Sequence, residues 1–111
     1  MNKVNIYEEL ASIKEYWSQK IIGEANGQLF KLAKGIGETK WHLHEDQDEL
    51  FILYKGQLTI QLRDENIELF EGEMFVVPKG VEHCPKAHEE VEFLIVGLSI
   101  TSNRAGGKPN L

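Results

Sequence analysis

After Ile21 the chain is divided into short runs of β-branched and aromatic residues by Gly, Asn and Asp, and this punctuation restricts its fold more than anything else in it. Strands are expected near 20–25, 28–35, 39–44, 49–55, 57–63, 66–71, 74–77, 82–87 and 91–99. Turn signals stand at Asn26-Gly27, Lys55-Gly56, Asp64-Glu65-Asn66, Glu71-Gly72 and Lys79-Gly80. Nothing helical separates the runs, so parallel crossovers have no connector. An all-β antiparallel sandwich or closed barrel remains. No internal repeat and no low-complexity tract interrupts it.

One helix precedes the strands. Ile6, Leu10, Ile13 and Trp17 recur at helical spacing and form one apolar stripe. Asn5 with Glu8 three residues on has the form of a capping box. At 111 residues the chain is expected to be one domain. Its parts are a helix over 1–19, a β-barrel over 20–100, and a flexible or partner-docked tail over 101–111. In that tail Arg104 and Lys108 sit among Gly106, Gly107 and Pro109.

The run FLIVGLS at 93–99 is apolar on both faces, Phe93 and Ile95 on one, Leu94, Val96 and Leu98 on the other. A strand with one wet face alternates. The outer face of this strand is therefore expected to lie against the N-terminal helix or a second subunit, and a homodimer is the expected assembly.

Charge and hydropathy exclude several partners. The net charge of −6 and the lack of a basic stripe with interleaved aromatics argue against nucleic acid. No run of ~18 apolar residues exists to span a membrane. The opening MNKVNIYEELASIKEYW has no apolar stretch of the kind a signal peptide needs, and the single cysteine, Cys84, requires no oxidising compartment. Cytoplasm is the expected location.

The chemistry concentrates in HLHEDQDE at 42–49 and PKGVEHCP at 78–85. His42 and His44 stand two apart and point to one side of an extended chain. Glu49 opens the next strand, and a hairpin brings its carboxylate back beside the imidazoles. His83 follows a Pro-Gly turn. Three imidazoles and a carboxylate suit one divalent transition-metal ion, Fe, Mn, Ni, Co or Zn. Glu45, Asp46 and Asp48 read as a solvated turn. Cys84 alternates away from His83 and reads as a buried structural cysteine, while His88 is expected at the surface. If His42 and His44 point in, Trp41 and Leu43 point out. Phe51 and Leu53 share the parity of Glu49 and are expected to line the pocket; Met74 and Phe75 stay open as further wall residues. Tyr54 and Glu82 face away from the metal, so no catalytic acid or base is picked out.

Here the sequence resembles the cupins. Their first motif runs Gly, five residues, His-x-His, three or four residues, Glu, six residues, Gly; this chain has His42, His44, Glu49 and Gly56 in register. Their second motif runs Gly, five residues, Pro-x-Gly, two residues, His, three residues, Asn; here Gly72, Pro78, Gly80 and His83 match. Two positions depart: the opening glycine falls on Ile36, bracketed by Gly35 and Gly37, and the closing Asn is Ala87. The resemblance covers 35–87 and is to the small single-domain, RmlC-like cupins, often labelled mannose-6-phosphate isomerase-like. It implies a jelly-roll barrel holding a metal ion on His42, His44, Glu49 and His83. It further implies a metal-dependent enzyme acting on a small oxygen-bearing molecule, such as an isomerase or dioxygenase. The alternative is a metal-dependent small-molecule binding or sensor module without turnover. No Lys and Arg cluster is present to grip a sugar phosphate.

Overall fold

The computed structural model describes residues 2–98, so the tail at 101–111 and the last residue of the run at 93–99 lie outside the described residues. The described chain forms α1 (Ile6–Ser12) and seven strands: β1 (Lys20–Ala25), β2 (Gln28–Glu38), β3 (Glu49–Lys55), β4 (Leu58–Leu62), β5 (Asn66–Leu69), β6 (Met74–Val77) and β7 (His83–Gly97). All pairings are antiparallel, in the order β1-β2-β7-β3-β6, with β4 joining both β5 and β7.

The expected strands at 82–87 and 91–99 are one continuous strand. Between them the chain reads AHEEV, with no Gly, Pro or Asn-Gly pair to turn it. The first part of β7 pairs with β4, Leu62 opposite His83 and Thr59 opposite Lys86. The second part lies between β2 and β3, where Ile95 faces Lys31 on one side and Phe51 on the other. A single strand thus ties the two halves of the barrel together.

The expected strand at 39–44 does not form. β2 runs on to Glu38 through a bulge between Gly35 and Gly37, and residues 39–48 then cross as a loop that meets β7 at one isolated bridge, His42 opposite His83. A bulge adds a residue to one strand and bends it. The extra residues are on β7, where His88, Glu89 and Glu90 stand opposite the single Ile36.

The helix is also shorter than its apolar stripe. Asn5 caps it, its side-chain oxygen accepting from the Glu8 amide at 3.0 Å, and the last helical residue is Ser12, whose hydroxyl donates to the Glu9 carbonyl. Trp17 is not on the helix. It takes a left-handed backbone, φ 62°, and turns its indole into the barrel, 5.9 Å from the Phe93 ring, with Nε1–H donating to the Ile36 carbonyl at 2.9 Å. The ring lies over Gly35, where any side chain would collide with it.

Two apolar clusters result. Inside the barrel Trp17 packs with Phe51, Leu53, Leu58, Ile60, Val91, Phe93 and Ile95. Outside, Leu10 of α1 seals Leu32 and Leu94, with Ile6, Ile13 and Phe30 around them. Burying Leu10 contributes about 1.5–3 kcal/mol. The helix therefore accounts for part of the doubly apolar run: Leu94 is covered, whereas Leu98 beyond it is 53% exposed. Among the described residues no helix is long and apolar enough to cross a membrane.

Candidate metal centre

The loop 39–48 has few ladder bonds, yet it carries two of the four site residues, so its position depends on specific contacts. The His42 amide donates to the His83 carbonyl at 3.0 Å and the His83 amide returns the bond at 2.9 Å. Residues paired in this way project to the same face of a sheet, so the bridge that replaces the missing strand sets both imidazoles side by side. Thr39 bonds the Pro85 carbonyl through its amide and its hydroxyl, and the Gly80 amide donates to the His44 carbonyl at 2.7 Å. Asp48 accepts from the Lys79 amide at 2.9 Å. It is exposed, as expected of the acidic turn, but it also clasps the Pro78-Lys79-Gly80 turn to the first motif. The Gln47 side chain is buried, and its Oε1 accepts from the Leu98 amide at 2.6 Å, fastening the loop to the end of β7.

These contacts bring His42, His44, Glu49 and His83 together: one donor atom from each lies within 4.8 Å of all the others. Glu49 Oε1 stands 3.4 Å from His83 Nε2 and 3.5 Å from His44 Nε2. The Nδ1 of His42 lies 2.7 Å from the Lys40 carbonyl, and that of His83 lies 2.9 Å from the Val81 carbonyl. A carbonyl only accepts, so each Nδ1 carries the proton and each Nε2 presents its lone pair to the centre.

The donor set fits a metal ion. The Nε2 atoms of His42 and His44 are buried and make no hydrogen bond among the described residues. Buried polar atoms are rarely left in that state. Bonds of ~2.1 Å around one ion would place opposed donors ~4 Å apart, near the spread found here. The site also favours the ligand form of its imidazoles. Burial pushes His42 down from 6.5 to about 4, reinforced by the neighbouring His83 and His44 and opposed by the Lys40 carbonyl and Glu49. It is therefore neutral at pH 7 without help from a metal.

The remaining sequence expectations are distributed as follows. Phe51 and Leu53 share the Glu49 face of β3 and are fully buried in the inner core. Phe75 packs against that core while Met74 is 53% exposed, which separates a pair that alternation left open. Leu43 is exposed, and Trp41 is half-buried beneath the Arg63 guanidinium, 3.8 Å from the ring centre. Tyr54 belongs to the outer cluster, and Glu82 pairs with Arg63 at the surface. Cys84 is buried beside the Thr39 hydroxyl, burial pushing its thiol up, and His88 is exposed. A surface cleft of about 620 Å³ lined by Gln57, Thr59, Glu68 and Lys86 includes none of the four site residues.

Sequence reasoning missed Lys31. It is 0% exposed, on the inner face of β2 with Ala33, opposite Ile95. Burial pushes its ammonium below the ordinary lysine range and the Glu49 carboxylate pushes it back up. The signal was available: in LFKLAKG the parity of Lys31 is that of Ala33 and Gly35, small residues suited to a barrel interior.

A family profile described as "Cupin domain" matches residues 28–97. The uncharacterized protein YdbB of Bacillus subtilis (strain 168) is 36% identical over 77 residues, 68% of each chain. Among crystal structures, a cupin-2 domain containing protein from Shewanella frigidimarina is 46% identical with a TM-score of 0.82, over 84% of this chain and 91% of that one. Protein NMB1881 from Neisseria meningitidis is 34% identical with a TM-score of 0.80, over 88% of this chain and all of the other.

Proposed function

The chain belongs to the cupin family, and on that premise we propose that it holds one divalent transition-metal ion on His42, His44, Glu49 and His83 and uses it on a small oxygen-bearing molecule. The observation that carries this reading is the pair of buried, unbonded Nε2 atoms of His42 and His44, turned toward the same point as Glu49 and His83. Four protein donors leave coordination positions open on an ion of octahedral preference. Such an ion supplies Lewis acidity toward a carbonyl, hydroxyl or dioxygen. The chain's own part is to hold the donors rigidly and to keep water away: Glu49 and His83 are fully buried. Phe51 and Leu53 form the apolar wall beneath Glu49, giving a site that is polar at one pole only.

Isomerisation or dioxygenation is the proposed class of reaction, and fold does not choose between them. Elemental analysis should find about one divalent ion per chain, and His42→Ala and His83→Ala should each remove it. Unchanged metal in both variants would sink the assignment. Metal-loaded protein is then screened against small carbonyl and diol compounds with oxygen uptake recorded. Ligand binding that needs the metal, with no product after long incubation, would favour the sensor or carrier reading over turnover. Binding that survives unaltered in metal-free protein would place the ligand elsewhere.

The same reading puts the protein in the cytoplasm as a homodimer, without nucleic-acid partners. A second copy is proposed to cover the outer apolar surface at Leu50, Val76, Val96 and Leu98. Light scattering should return twice the chain mass at micromolar concentration, and a monomer mass would end the dimer proposal.

A further inference from the structure

Among the described residues, the buried side chains of ordinarily charged type are Lys31 and Glu49. Both stand inside the same barrel. Lys31 and Phe51 face Ile95 from opposite sides of β7, and Glu49 is two residues from Phe51 on the same face of β3. The two charges therefore share the inner wall, two strands apart, near the end of the barrel where the imidazoles converge. Counted as an ammonium and a carboxylate, they balance one another with no metal bound. A divalent ion on Glu49 changes the count: the interior then holds two positive charges in excess, in a region of low dielectric where uncompensated charge is costly.

Resting on the metal reading, we propose that the ligand of this site is a small anion, a carboxylate or comparable oxyanion bound at the open coordination positions, and that Lys31 selects it over neutral carbonyl and diol compounds. The carboxylate supplies one of the two negative charges that the loaded barrel lacks. Lys31 acts here as a specificity determinant from the wall; metal ligation is left to the four residues already assigned. The apolar surroundings strengthen the selection, because Ala33, Phe51 and Ile95 offer the anion no competing polar partner. The protein surface works the other way: with a net charge of −6 it repels anions at long range, so the selection is local.

The test compares pyruvate with hydroxyacetone, molecules of similar size and oxygen placement that differ by the carboxylate charge. Calorimetric titration of nickel-loaded wild-type protein should show pyruvate binding about tenfold or more tightly than hydroxyacetone. In Lys31→Met, pyruvate affinity should fall about tenfold while hydroxyacetone affinity stays within about twofold. Nickel content should remain near that of the wild type in both proteins. Lys31→Gln, which keeps a polar end in the same space, is the second variant should Lys31→Met not fold, and the same loss is expected of it. Equal pyruvate affinity in wild type and variant, with nickel bound, would overturn the role of Lys31. A wild-type preference for hydroxyacetone would overturn the anionic ligand class while leaving the metal reading intact. Absence of nickel from the wild type would overturn the metal reading and this inference with it.

Discussion

Glu49 and Phe51 are two residues apart on one face of β3, equally buried, and belong to opposite kinds of interior. Phe51 is surrounded by Leu53, Phe93, Ile95 and their neighbours, and all it requires is close packing. Glu49 looks toward three imidazoles, two of which carry buried Nε2 atoms without a hydrogen bond, and toward a second buried charge on Lys31. The apolar region is complete as the chain folds. Among the described residues the polar region leaves the Nε2 atoms of His42 and His44 without a hydrogen bond, a deficit that a bound ion would meet. A domain of this size can carry such a deficit because the apolar half, sealed further by Trp17 and α1, buries its side chains in clusters that include none of the four site residues.

That division can be broken at either end. Phe51→Ala should give the largest effect, about 3–5 kcal/mol lost in urea denaturation, because the ring leaves a cavity in a fully buried cluster. If the two regions are independent, folded Phe51→Ala at low temperature still carries its metal by elemental analysis. Loss of metal in step with stability would show that they are one cooperative unit.

Acid should act on the polar region through His42. In metal-free protein His42 protonates only near pH 4, whereas an unfolded chain takes up that proton near 6.5. Between those values the unfolded state binds more protons, so stability is full above about 6.5 and falls as pH drops toward 4. The loss is on the order of 3 kcal/mol. Thermal melts across that window should show the drop in the metal-free wild type and a shallower one in His42→Phe. Metal content should fall over the same acid range, since bound imidazole and protons compete. A metal content flat down to roughly pH 4 would contradict three-histidine ligation.

Asn5→Ala is the mildest perturbation. It removes one cap bond from a seven-residue helix and should cost about 1 kcal/mol, leaving metal content unchanged. Its value is as a control, since α1 packs on the outer cluster.

Much of the site was legible because spacing alone encodes it. His42 and His44 two apart, Glu49 at the head of the next strand and His83 after Pro78-Lys79-Gly80 are local facts of the chain, and they converge as expected. The secondary structure around them was less legible. Residues 39–44 have strand-like composition, but against β7 they make one isolated bridge at His83 and the Thr39 bonds to Pro85 rather than a ladder, and pairing is a property of the sheet. Trp17 fits a helical stripe by position, yet the space above Gly35 draws its indole into the barrel.

The sequence by itself determined an all-β cupin with a capped helix and the identity of four candidate ligands, because turn residues, alternation and motif spacing act over short distances. Only the tertiary structure decided that one strand, β7, joins both halves of the barrel, that a single bridge substitutes for a strand at His42, and that Lys31 lies inside with Glu49. The physical reason is the same in each case. Hydrogen-bond partners, ring contacts and the cost of an enclosed charge depend on which segments meet, and segments far apart in the chain meet only once it has folded.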